Sequence, residues 1–379
     1  MLVSEVDDLV CAALRGDLPA GSAKFDERFG TLLIRRAEYH GVTALLNERL
    51  PENPVWPAAV RETVRRKAAI QAFWELEHRQ ILTAAVDAVL RKGIEPLLFK
   101  GTALAYGLYG NPVWRTRGDT DLIVELSDAR IVGEILQAQG FVRTQSLTGD
   151  LISYQVNYRL VMPSGRHHSV DLHWRINNSE FLSSIFSYSE LRAAANPLPK
   201  LCDGALAIGS EHALLLACLH RLVHRAIPYY VGGSAFYGAN RLVWLYDIHL
   251  LAQSFTSAHW DKLFRTAAEK GLCSTTLDGV ERAEECFRTH FPHDVRHALS
   301  KKGEPVMSYL DSGALRRFWL DFSAIGGVAD KVQFARELFF PSAAYMRAKY
   351  APTRASLPWL YARRAAVGFM KFLHKPPSQ

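Results

Sequence analysis

Between Pro57 and Gly93 the chain runs for 35 residues without a glycine or a proline. The run, AAVRETVRRKAAIQAFWELEHRQILTAAVDAVLRK, is rich in helix formers and places apolar residues at helical spacing. It predicts one long helix, or two collinear ones, with Gly93 in the usual position past the C-terminus. Residues 1–94 as a whole read as helices.

The pattern breaks at Ile94-Glu95-Pro96. Leu97-Leu98-Phe99 is a short apolar run suited to a buried strand. Gly101-Thr102 then opens a helical stretch that stops at Gly110-Asn111-Pro112. A charged loop follows, and Thr120 to Leu126 reads as a second strand. Ser127 is placed to cap a helix that ends at Gly140. Phe141 to Thr144 can form a third strand. Ile152 to Met162 alternates as a half-buried strand does, Pro163-Ser164-Gly165 turns the chain, and Ser169 to Trp174 returns as its partner. This order, β-α-β-α-β-β-β, predicts a compact mixed sheet rather than a doubly wound fold. From Ser187 to about residue 300 the pattern is helical again. From Ser308 helices are interrupted at Pro341-Ser342. The expected class is α+β. A mixed-sheet core spans 95–178, between helical regions 1–94 and 179–300, and a helical extension covers 301–379.

Of the 379 residues 49% are hydrophobic, enough for a large core. The formal net charge of +7 reads as a mild basic excess spread over the chain, since Arg35-Arg36, Arg65-Arg66 and Arg363-Arg364 lie far apart. Such a balance suits a phosphate-rich ligand or simple solvation. The five cysteines show no CxxC spacing, so neither a disulfide framework nor a zinc cluster is expected. Acids stand at the start where a signal peptide would be basic, and no apolar run reaches the length of a membrane span. The expectation is a cytoplasmic protein without a transmembrane segment.

The chemistry concentrates in RTRGDTDLIVEL. In a strand, residues i and i+2 share a face, so Asp119 and Asp121 aim both carboxylates the same way. Two adjacent carboxylates repel, and a divalent cation resolves the conflict. An Asp-rich turn with Asp119 as a cap is the plain alternative, and for D-x-D alone it is preferred. Three neighbours shift the balance. Lys100-Gly101-Thr102 stands at a strand-to-helix turn, where glycine admits a phosphate and the helix start offers free N–H groups. Arg115 and Arg117 can clamp phosphate oxygens, or sit in a solvated loop. Asp171 in SVDLHW shares a strand face with His173 and can complete a metal site or take a proton.

Strand, Gly-Thr helix start, D-x-D, then a lone acid on a later strand: this order resembles the nucleotidyltransferase (polymerase beta-like) superfamily, with Thr102 where a serine or glycine is usual. A narrower resemblance is to a family of largely uncharacterised bacterial nucleotidyltransferases. It is carried by Lys100-Gly101-Thr102-Ala103-Leu104, Arg117-Gly118-Asp119-Thr120-Asp121-Leu122 and Val170-Asp171-Leu172-His173-Trp174. In the helical half it is carried by His220, His224, Arg241, Trp244 and Asp247. It covers about residues 60–350.

The resemblance implies transfer of a nucleoside monophosphate from an NTP, ATP by default, to an unidentified acceptor. Asp119, Asp121 and Asp171 would hold Mg²⁺ or Mn²⁺. Lys100, Gly101, Thr102, Arg115 and Arg117 would bind the nucleotide. His173, His220, His224 and Asp247 would serve the acceptor or support the site. A non-catalytic nucleotide-sensing or partner-binding protein with the same fold is the rival. Nucleic-acid binding is disfavoured, because aromatics do not interleave with a basic strand face.

Two further expectations concern the periphery. Arg166-His167-His168 reads as a hairpin tip in solvent. The basic, aromatic stretch from Phe339 to Lys375 reads as packing against the helical half, with a membrane surface or a partner as the alternative.

Overall fold

The computed structural model describes residues 3–17, 27–49, 56–144, 151–231, 233–301, 303–353 and 355–373, with side chains through 367. The first helices are α1 (Val3–Arg15), α2 (Glu27–His40), α3 (Thr43–Arg49) and α4 (Ala58–Leu90). The core follows with β1 (Leu97–Phe99), α5 (Lys100–Gly107), β2 (Asp119–Ile123), α6 (Leu126–Ala138), β3 (Val142–Arg143), β4 (Gln155–Val161) and β5 (His167–His173). Then come α7 (Glu180–Ser183), α8 (Tyr188–Ala193), β6 (Asn196–Pro197), β7 (Leu206–Ala207), α9 (Ser210–Val223), β8 (Tyr229–Val231) and β9 (Ser234–Phe236). The chain closes with α10 (Leu242–Ser254), α11 (Ser257–Lys270), α12 (Cys273–Phe287), α13 (Val295–Leu299), α14 (Pro305–Asp311), α15 (Ala314–Ala324), α16 (Val328–Phe339), α17 (Ala343–Lys349) and α18 (Leu357–Leu373).

The glycine-free run forms a single helix, α4, of 33 residues, about 50 Å long. The sheet order is β3-β4-β5-β2-β1-β7-β6. β2 pairs antiparallel with β1 and parallel with β5, so the sheet is mixed. Two short strands, β6 and β7, join it from the stretch read as wholly helical, and β7 runs parallel to β1. Two residues per strand leave no room for the alternation that marks a strand in sequence. Ser127, expected as a cap, lies inside α6. Glu125 occupies the cap position in extended conformation, without a side-chain bond.

Strand alternation gives the sheet two unlike faces. Leu98, Leu122, Val124, Val156, Val170 and Leu172 point to one side and pack with Leu82, Val86 and Val89 of α4 and Val132 and Leu136 of α6. Each such side chain contributes roughly 1.5–3 kcal/mol when fully buried. Leu97, Phe99 and Ile123 point to the other side and join the core of the helical regions. The register puts Asp121 opposite Phe99 on one flank and Asp171 on the other, so the acids belong to this second face. The sheet thus buries one side fully and leaves a polar patch on the side that meets the helices.

No helix among the described residues is long and apolar enough to cross a membrane.

Candidate active site

β2 carries the acids. Asp121 pairs with Asp171 across the parallel β2–β5 ladder, and Asp119 pairs with Ser169 two residues earlier. Carboxylate oxygens of Asp121 and Asp171 and an imidazole nitrogen of His173 lie within 4.8 Å of one another. Asp119 is exposed at the start of the strand, on the same face.

The trio is held from several directions. Lys100 Nζ donates to Asp121 Oδ1 at 2.6 Å, and His173 Nε2 meets the same oxygen at 3.0 Å. Asn157 Nδ2 and Gln155 Nε2 donate to Asp171 at 2.6 and 3.0 Å. Both donors come from alternate positions of β4, which the pleat turns toward Asp171. Neither was singled out in the sequence. Their signal was the polar phase of an alternating strand, which is common and unspecific. Lys100 itself sits at φ 54°, a left-handed conformation unusual for a side chain with a Cβ. It occupies the junction where β1 ends and α5 begins.

Electrostatics separates the three acids. Although Asp119 reaches solvent, the protein packed around it, then repulsion from Asp121 and Asp171, raises its carboxyl above the ordinary value. Burial alone would raise Asp121 too, but Lys100 and His173 outweigh it and hold its carboxyl well below the usual range. Burial and the Asp121 charge raise Asp171. Burial, then the Lys100 charge, lowers His173, against the pull of Asp121.

The donor set suits a hard divalent cation. The carboxylates of Asp121 and Asp171 match Mg²⁺ or Mn²⁺, which complete their shells with phosphate and water oxygens, whereas the His173 imidazole is a donor that softer transition metals prefer. The Gly101 amide and the start of α5 stand beside this set. A Cβ built on Gly101 would meet Arg115 and Arg117 in ordinary contact at 3.6 Å, so the two arginine side chains flank the start of α5 at this glycine.

Arg115, Arg117 and Thr102, expected at the phosphates, are committed elsewhere. Arg115 makes a buried ion pair with Asp247 of α10, with N···O distances of 2.7, 2.8 and 3.0 Å, and Tyr109 adds a hydrogen bond to Asp247 at 2.8 Å. Arg117 pairs with Glu75 of α4 at 2.8–2.9 Å and donates to Thr102 Oγ1 at 2.9 Å. Thr102 is fully buried, and its hydroxyl also meets Thr120 at 2.9 Å and the Asp119 carbonyl at 3.3 Å. A spaced arginine in sequence does not reveal whether a carboxylate elsewhere in the chain already claims it. These three residues therefore lock the loop before β2 to α4, α5 and α10.

The network continues beneath β2. His78 of α4 shares a hydrogen bond with Thr120 at 2.8 Å and lies 3.2 Å from His168, nitrogen to nitrogen. Trp74 stacks on both rings. His168 is fully buried and meets Glu77 at 2.9 Å. The expected solvent tip is thus wrong for His168. β5 begins at His167, and its alternation turns His168 inward onto α4.

In the helical half, His224 stacks on Trp244 and its Nδ1 meets the Ile227 carbonyl at 2.9 Å. His220 packs edge-on against both rings. Burial, then the charges of His224 and Lys100, lowers its imidazole well below its ordinary value. The charges of Asp121 and Arg115 also act on it. Arg241 donates to the Tyr39 carbonyl at 2.9 Å and lies over the Trp244 ring.

Residues 30–288 match the family described as uncharacterised nucleotidyltransferase. The chain belongs to this family. The match takes in the acids, the Lys-Gly-Thr turn and the histidine helix, and it leaves out the residues after 288. No curated protein matches the chain. Among solved structures it is similar to an antigenic nucleotidyltransferase-like protein from Paracoccidioides brasiliensis, at 13% identity over 58% of this chain and 97% of that one. The TM-score of 0.34 is too low for that likeness to bear on the site.

Proposed function

We propose that the chain transfers a nucleoside monophosphate from an NTP to an acceptor hydroxyl, phosphate or amine, with ATP as the default donor. Family membership supports nucleotidyl transfer as the reaction class. The observation that carries the reading is the pairing of Asp121 with Asp171 across β2 and β5, with Asp119 two residues before Asp121 on the same strand face.

A bound Mg²⁺ or Mn²⁺ would neutralise phosphate charge and align the NTP for in-line attack. Asp119, Asp121 and Asp171 would hold it. Asn157 and Gln155 keep the Asp171 carboxylate oriented. Lys100 balances the acids before substrate arrives and then faces the phosphates at one remove. Gly101 lets phosphate approach the free N–H groups of α5. Asp171 can accept the proton of an attacking hydroxyl. His220 of α9 would border the side from which an acceptor enters, and His173 stands beside Asp121. Arg115, Arg117, Thr102 and Asp247 position the loop that precedes β2, and His224 supports α9. The units 1–94, 95–178, 179–300 and 301–379 are read as scaffold, catalytic core, acceptor side and extension, with β6 and β7 lent to the core sheet. A cytoplasmic location, where NTP is abundant, goes with this reading.

The test is incubation with α-³²P-labelled NTPs, Mg²⁺ or Mn²⁺ and a cell extract as acceptor source, for wild type beside Asp119→Asn. Label transfer and pyrophosphate release by wild type alone are expected. Equal release from both proteins sinks the assignment. NTP binding without release in wild type moves the weight to a nucleotide-sensing protein.

A further inference from the structure

The net charge of the chain is not spread as its arginine pairs suggest. Residues 313–379 hold eleven Lys or Arg against three acids, Asp321, Asp330 and Glu337. The whole chain holds 45 basic against 38 acidic residues, so residues 1–312 hold 34 against 35 and are nearly neutral. After Glu337 there is no acid at all. This basic block lies outside the family match, which ends at 288.

The same region exposes apolar side chains. Val328, Val332 and Phe339 follow one another at helical spacing on α16 and are 81%, 64% and 56% exposed. The inward side of that helix is marked by buried Phe334. Phe340 is 67% exposed, and Trp319 of α15 and Trp359 of α18 are 59% and 52% exposed. Basic residues stand among them: Arg316, Arg336, Arg347, Lys349 and Arg363 are all exposed. The Arg363 guanidinium lies over the Trp359 ring at 5.5 Å. The region is anchored to the body through Asp321, which accepts from Ser179, the Phe181 amide and Tyr309. α15 is thereby tied to α7 and α14.

We propose that α15–α18 form a docking surface for an anionic lipid membrane. Two signals that such binding requires coincide here, an apolar stripe with interfacial tryptophans and a dense positive charge. The charge decides between occupants. A second copy of the chain would bring like charge against like. Nucleic acid would meet the arginines and the exposed rings, but it would leave the aliphatic Val328 and Val332 in water. An anionic bilayer satisfies both signals, with headgroups against the arginines and acyl chains against Val328, Val332 and Phe339. The inference does not depend on the nucleotidyl-transfer reading.

Cosedimentation of the full chain with vesicles tests it. Vesicles of phosphatidylcholine mixed with phosphatidylglycerol are compared with pure phosphatidylcholine, at low and raised salt. Binding to the anionic vesicles, weakened by salt, is expected. Arg316→Glu, Arg347→Glu and Arg363→Glu combined should cut binding by roughly a hundredfold or more, at about fivefold for each arginine lost. Val332→Ser with Phe339→Ser, both at exposed positions, should weaken it while leaving the melting temperature unchanged. Absence of binding to anionic vesicles overturns the proposal. So does binding that neither set of substitutions alters, or binding to a poly-U RNA under conditions where the vesicles are left free.

Discussion

Removing the carboxylate of Asp247 should unlock the loop that leads into β2. Arg115 and Asp247 have side chains only 8% and 3% exposed, and three N–H···O bonds join them. In Asp247→Ala the guanidinium keeps the Thr116 carbonyl at 2.8 Å as a partner but loses its counter-charge, and the Tyr109 hydroxyl loses its acceptor. Breaking one side of such a buried pair costs about 3–5 kcal/mol. At about 2–4 °C per kcal/mol for a cooperative unit of this size, the melting temperature should fall by roughly 6–20 °C. Replacing both partners with apolar residues of similar volume, Arg115→Met with Asp247→Leu, should restore most of the loss. Scanning calorimetry gives the stabilities, and titration with NTP gives the affinities. If Arg115 is structural, the double variant keeps its NTP affinity. A fall of under about 2 °C in Asp247→Ala would refute the energetic reasoning. A double variant that regains stability yet binds NTP more than about tenfold more weakly would place Arg115 on the phosphates instead.

Other expectations follow from single contacts. Gly101→Ala should melt like wild type, since the added Cβ meets only ordinary contacts at 3.6 Å. Its NTP affinity, read by calorimetry, should nonetheless drop about tenfold or more if phosphate binds at the start of α5, where glycine gives it the closest approach to the backbone. Thr102→Val removes a hydroxyl that joins Arg117, Thr120 and the Asp119 carbonyl. Urea unfolding should show a loss of about 1–3 kcal/mol. Arg166 and His168 hold the Glu77 carboxyl down at about 2, below its ordinary 4.5. A folded value below the unfolded one stabilises above the unfolded value and is lost as pH falls. The melting-temperature gap between wild type and Glu77→Gln should therefore be steady above about pH 5 and close between 4.5 and 2.

The sequence was most legible where local chemistry leaves few options. The glycine-free run could only be helix, and α4 follows it from Ala58 to Leu90. D-x-D on an apolar run indicated a strand with both carboxylates on one face, and the register of β2 against β5 sets Asp171 beside Asp121. What could not be read depends on contacts distant in sequence. Glu75 and His78 sit on a helix whose other buried positions are mostly apolar, and nothing local shows that they meet Arg117 and Thr120. Asp247 lies 132 residues from Arg115. β6 and β7 are too short to leave a pattern. The concentration of charge after residue 312 was in the sequence all along, but pairs of arginines are a poor substitute for counting both signs along the chain.

The claim on which the account rests is that Asp119, Asp121 and Asp171 hold a divalent cation together with an NTP. Manganese binding followed by the loss of the free Mn²⁺ electron paramagnetic resonance signal tests it directly, with a non-hydrolysable NTP analogue present. Wild type should bind the ion, and Asp121→Asn and Asp171→Asn should each weaken binding by at least about tenfold while melting cooperatively. Equal Mn²⁺ binding by wild type and Asp121→Asn would contradict the account.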